Sequence, residues 1–115
     1  LNNKRFNCSS GVQIRDFLYV DDLIDLIIMI LKSKKKINGI FNVGSKKPVK
    51  VKEVINSIRN KIKKGFPQYG KISMRDDESP KYFPDVKKIS KQFSWRPKTS
   101  LDKGLEKTIN FYKSL

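Results

Sequence analysis

The stretch from Gly11 to Val20, followed at once by Asp21-Asp22 and an apolar run, constrains this chain more than any other segment. Arg15 and Asp16 sit there between apolar β-formers. The strand pattern then stops at two carboxylates of the kind that open a helix. A strand-to-helix junction built this way can aim a guanidinium at an anionic ligand.

The length, 115 residues, predicts one domain with a small and marginal core. The chain begins Leu-Asn-Asn-Lys instead of with Met, which is expected of an excised piece or of a chain with unresolved upstream residues. No signal peptide is recognised at this start. The longest apolar stretch, Leu23 to Leu31, is interrupted by Asp25, so no membrane span is expected. Cys8 is the single cysteine and histidine is absent. An internal disulfide, a Cys/His zinc site and Ser-His or Cys-His catalysis are therefore excluded within this chain. A reducing cytoplasm is the expected compartment.

The formal charge of +15 invites a nucleic-acid reading. The basic residues are 21 Lys and 5 Arg, and there is no Ala. Lys, Asn and Ile have AT-rich codons, so genome composition accounts for the charge without a binding surface. No nucleic-acid partner is expected.

Short strands alternating with helices predict the mixed α/β class with about four helices. Strands are expected at Phe6–Cys8, Gln13–Val20, Ile40–Val43 and Lys71–Arg75. A first helix should run from an Asp22 N-cap to about Ser33, apolar almost all the way round and so buried on more than one side. A second is expected over residues 50–63, where Val51, Val54, Ile55, Ile58 and Ile62 recur at helical spacing, with Gly65 and Pro67 ending it. A third, capped by Asp85, should span Val86 to Phe93. A fourth should span Leu101 to Tyr112 with Leu101, Leu105, Ile109 and Tyr112 on one stripe. Asp76 to Pro84 reads as a loop. Trp95 is expected to pack the last two helices together. Tyr82-Phe83 reads as local packing before Pro84, or as a stacking surface for a base.

Two constellations could hold an anion. Arg15 offers a planar fork of donors with a permanent charge, suited to a phosphate or pyrophosphate; its other reading is a buried pair with Asp16 or Asp22. Arg75 and Glu78, three positions apart, could hold a phosphate and a ribose diol of one nucleotide. Their other reading is a solvated acidic loop.

The segment Gln13-Ile14-Arg15-Asp16-Phe17-Leu18-Tyr19-Val20-Asp21-Asp22 resembles the Q-x-R-D-F-x-Y-V-x-D segment of nucleotide-sugar epimerases and dehydratases, in the extended short-chain dehydrogenase/reductase family. Phe41-Asn42-Val43-Gly44 resembles that family's y-N-[VIL]-G. Arg75 to Glu78 resembles its R-x-x-[DE], and Asp85 to Pro97 its D-x-x-K-x-x-x-x-L-G-[WY]-x-P. Ser100 to Leu105 resembles its s-L-x-e-G-L. Phe93 and Ser94 depart from the family's Leu and Gly. The resemblance implies that Arg15 and Arg75 face a nucleotide diphosphate in a shared cleft, that Glu78 faces the ribose and that Asn42 lies near the base.

The family's glycine-rich turn, which sets a helix N-terminus on a cofactor pyrophosphate, has no counterpart in these residues. Neither does its Y-x-x-x-K pair: the residues four positions after Tyr19, Tyr69 and Tyr82 are Leu23, Ser73 and Val86, and Tyr112 lies too near the end. The resemblance thus implies a small C-terminal substrate-binding subdomain, residues 1–115, lacking the Rossmann dinucleotide-binding half. Its parent would use NAD or NADP, bind a nucleotide-diphosphate sugar, and associate as a homo-oligomer. The fragment alone is expected to be inactive. A small basic nucleic-acid-binding domain and a non-catalytic interaction module are the rival readings.

Overall fold

The structure is a computed structural model and describes residues 3–115. Its elements in order are β1 (Arg5–Asn7), β2 (Ile14–Arg15), α1 (Val20–Lys32), β3 (Val49–Lys50), α2 (Val51–Ile62), β4 (Phe66–Gln68), β5 (Lys81–Tyr82), α3 (Lys87–Phe93) and α4 (Leu101–Ser114). The mixed α/β class with four helices is as the sequence predicts.

The helices follow local chemistry. α2 forms on its periodic apolar positions and buries Val54, with Glu53 in its first turn and Arg59 and Lys61 in its last, charges that complement the helix dipole. It stops at Lys63, which adopts the left-handed conformation. In α4, the Ser100 side chain accepts a hydrogen bond from the Lys103 N–H, a regular N-cap. Ile109 of the expected stripe is buried, but Tyr112 is exposed beside Phe111. The N-cap residue of α3 is Val86, with no side-chain cap, and not the expected Asp85, which lies one residue earlier and accepts from the Lys87 N–H at 2.9 Å.

α1 departs from expectation at its start. It begins at Val20, with Tyr19 as N-cap residue and no side-chain cap. Asp22 lies inside the first turn and its carboxylate is turned to Thr99 instead.

The strands are shorter than expected and differently placed. The expected Gln13–Val20 strand contracts to Ile14–Arg15, because only these residues find partners: β3 on one side, antiparallel, and β5 on the other, parallel. β1 spans Arg5–Asn7 instead of Phe6–Cys8 and pairs in parallel with β4. β4 contains Pro67, which a two-stranded ribbon tolerates because one side of each strand is unpaired. Lys71–Arg75 is a bend and irregular chain, not strand. Ile40–Val43 also forms no strand, since no segment among the described residues pairs with it. The Asp76–Pro84 loop contains β5.

The core joins Leu26 of α1 to Val86, Ile89 and Trp95, with Leu18, Ile30, Phe41, Val43 and Phe93 packed around them. Trp95 therefore packs α3 against α1, not α3 against α4. α2 and α4 pack separately, linked by an ion pair of 2.6 Å between Lys61 and Asp102. The whole is a plate of 51 × 38 × 18 Å with a radius of gyration of 17.0 Å, against about 13 Å for a compact domain of this length. Leu26 is 1% exposed, yet Ile24, Ile27, Ile28 and Leu31 on the same helix face solvent, Leu31 at 78%. No helix among the described residues is long and apolar enough to cross a membrane.

Candidate functional site

β2 places Arg15 at the middle of the three-stranded sheet, where the parallel register sets it opposite Tyr82 of β5. The bond from the Ile14 N–H to the Pro80 carbonyl, 2.8 Å, draws the preceding loop alongside β2. The Arg15 guanidinium then donates from Nη2 to Glu78 Oε1 at 2.9 Å and from Nη1 to the Ile14 carbonyl at 2.8 Å. Both side chains of this ion pair are largely buried, at 24% and 18% exposure. Of the two pairings the sequence offered for Arg15, with Asp16 or Asp22, neither forms. The partner lies 63 positions away.

Glu78 closes a turn by donating its N–H to the Arg75 carbonyl at 3.1 Å. Arg15 and the Arg75–Glu78 turn are thus brought together, although they are far apart in sequence. The Arg75 side chain is exposed, with Nε 3.9 Å from Asp77 Oδ1. Asn42 is exposed and makes no side-chain hydrogen bond to Arg15, Arg75 or Glu78 among the described residues. Tyr82 is 74% exposed and Phe83 47%. The apolar groove between β1 and α2, lined by Phe6, Ile55, Ile58 and Ile62, shares no residue with this set.

Asp16 has a structural task that the sequence did not disclose. Its two oxygens accept from the Ser45 and Lys46 N–H groups at 2.6 and 3.1 Å. Lys46 has a φ of 65°, and such a left-handed step lets successive N–H groups converge on one anion. Gly44 lies under this clamp: a Cβ there would be 2.5 Å from Pro84 Cγ and 3.1 Å from Asp16 Cγ. Further along, a Cβ on Gly104 would meet the Tyr19 ring at 3.2 Å, and Asp22 binds Thr99. The motif segments therefore meet in pairs: Arg15 with Glu78, Asp16 with Gly44-Ser45, Tyr19 with Gly104, and Asp22 with the residues just after Pro97.

The fold recurs in known proteins. The crystal structure of UDP-glucuronic acid 4-epimerase from Bacillus cereus in complex with UDP-glucuronic acid and NAD superposes with a TM-score of 0.80 at 27% identity, over 96% of this chain and 35% of that one. CDP-abequose synthase of Salmonella typhimurium is 29% identical over 116 residues, covering 95% of this chain and 38% of the relative. The probable GDP-L-fucose synthase 1 of Oryza sativa subsp. japonica is 33% identical over 106 residues, covering 90% and 30%. The chain spans about a third of the length of the curated relatives it matches. Fold and motifs define the class of NAD-dependent epimerases/dehydratases of the extended short-chain dehydrogenase/reductase type. Within that class the chain belongs to the family described as GDP-mannose 4,6 dehydratase, whose model matches residues 2–108.

Proposed function

We propose that residues 1–115 form the C-terminal, nucleotide-sugar-binding portion of an NAD- or NADP-dependent epimerase or dehydratase. The observation that carries this reading is the meeting of Arg15 with the Arg75–Glu78 turn, in a chain of this family. Arg15 and Arg75 hold the diphosphate of the substrate, Glu78 faces its ribose, and Asn42 lies on the base side. A grip remote from the reacting carbon holds the sugar in reactive geometry, so its binding energy serves catalysis elsewhere.

The reacting groups belong to an N-terminal Rossmann domain of the same polypeptide. A nicotinamide dinucleotide held there would supply hydride transfer for a transient oxidation of the sugar. These 115 residues carry neither a glycine-rich turn nor a Y-x-x-x-K pair, so they do not fit a dinucleotide site. No step of that chemistry is assigned to them. The solvent-facing side of α1 packs on the Rossmann domain or on a second subunit of a homo-oligomer, and the enzyme works in the cytoplasm.

The test is a titration of the full polypeptide containing these residues with UDP-, CDP-, GDP- and dTDP-sugars, with NAD or NADP present. Saturable binding of at least one, followed by an epimer or keto-sugar product, is the expected result. No binding of any member of the panel would sink the reading.

A further inference from the structure

We infer that Glu78 is a positioning residue for the anion grip: it fixes the Arg15 guanidinium and ties it to the turn that carries Arg75. The inference rests on the diphosphate role proposed for the two arginines, and it gives Glu78 a task besides any contact with ribose.

Three observations carry it. First, the pair is the only ion pair that Arg15 makes among the described residues, because Asp16 and Asp22 are committed to Ser45-Lys46 and to Thr99. Second, Arg15 is held at two points, Glu78 Oε1 and the Ile14 carbonyl. Two bonds to different nitrogens fix the plane of a guanidinium, which carries further N–H donors for a ligand. Third, Glu78 is linked through its own N–H to the Arg75 carbonyl. One residue thus sits between β2 and the turn, bonded to each. A long cationic side chain ordered before the ligand arrives loses less rotamer freedom on binding. Only one carboxylate oxygen of Glu78 is used by Arg15, so the other remains available to a hydroxyl.

The two tasks separate with a probe that has phosphates but no ribose. In the full polypeptide, affinities are measured for inorganic pyrophosphate and for whichever of UDP, CDP, GDP and dTDP binds most tightly. If Glu78 positions Arg15, Glu78→Ala weakens both ligands, pyrophosphate by about tenfold, the scale of one charge-assisted hydrogen bond. Glu78→Gln, which keeps the shape and one acceptor oxygen, loses less. In an Arg15→Ala background, Glu78→Ala then changes pyrophosphate affinity no further. Pyrophosphate affinity that is unchanged or raised in both Glu78 variants, with only the nucleotide weakened, overturns the inference and leaves Glu78 a ribose contact. An equal loss in the Arg15→Ala background overturns it too, since Glu78 would then act independently of Arg15. If Arg15→Ala and Arg75→Ala each leave both ligands unaffected, the grip itself is refuted, and the inference with it. Thermal melts of each variant separate these results from misfolding.

Discussion

The carboxylate of Asp22 reaches Thr99 across 77 positions, accepting from its backbone N–H at 3.0 Å and from its Oγ1 at 3.2 Å. Asp22 is 4% exposed, so a water molecule cannot readily replace Thr99. The bond joins the first turn of α1 to the segment that leads into α4. Asp22→Ala is expected to destabilise the protein by about 1–3 kcal/mol, the scale for leaving a buried donor without its partner. Chemical denaturation measures this. A loss below about 0.5 kcal/mol, the range of an ordinary surface substitution, would mean that the bond holds nothing together.

Gly44 is expected to reject even a methyl group. Pro84 and Asp16 occupy the space a Cβ needs, and the Asp16 clamp on Ser45 and Lys46 cannot relax without breaking two bonds. Gly44→Ala should cost about 1–3 kcal/mol, as overpacking does. It should also weaken nucleotide-sugar binding, because Asp16 adjoins Arg15. A variant with wild-type stability would show that the three segments separate easily.

Arg75 gains its value only with ligand. Among the described residues its exposed guanidinium has a single, distant partner in Asp77, so Arg75→Ala should leave the melting temperature almost unchanged. In the full polypeptide the same substitution should weaken nucleotide-sugar binding by about 1.5–3 kcal/mol. Calorimetric titration decides between this and an unaltered affinity, which would remove Arg75 from the site.

Residues 1–115 expressed alone should not turn over any UDP-, CDP-, GDP- or dTDP-sugar in the presence of NAD. Chromatography of the sugar products and absorbance of the reduced cofactor are the readouts. Turnover that copurifies with the fragment would place catalytic groups within it.

The same fragment should self-associate or precipitate through the outer side of α1. Removing apolar surface from water is worth about 25 cal/mol per Å², and exposed apolar patches of several hundred Å² seek partners. Replacing Ile27 and Leu31 with Lys should shift the fragment toward monomer in analytical ultracentrifugation. A wild-type fragment that stays monomeric at high concentration would contradict this.

Helices were far more legible than strands. α2 could be read to within about a residue because Val51, Val54, Ile55, Ile58 and Ile62 state their period locally. A strand of two or three residues states nothing locally; it exists where a partner arrives. Ile14–Arg15 is a strand because residues 49–50 and 81–82 lie beside it, while Ile40–Val43, more apolar and equally β-prone, has no such neighbour. The site shows the same division. Arg15, Arg75 and Glu78 were recognisable as charged residues in ordered motifs. That Glu78 would be the counterion of Arg15 was not, because the nearer carboxylates Asp16 and Asp22 are drawn off by backbone groups distant in sequence. The Asp16 clamp left one trace in the sequence, the glycine of Asn42-Val43-Gly44, whose need for an empty volume became clear only in three dimensions.

A plate 18 Å thick has little depth, given that a helix with its side chains is about 10–12 Å across. Hydrogen exchange in the fragment should therefore be fast and shallow, with slow amides confined to α1 near Leu26 and α3 near Ile89, the largest side chains closed off from solvent among the described residues. In a polypeptide that carries the proposed Rossmann domain, the same backbone should acquire protection along the outer turns of α1 with no change in its own hydrogen bonds.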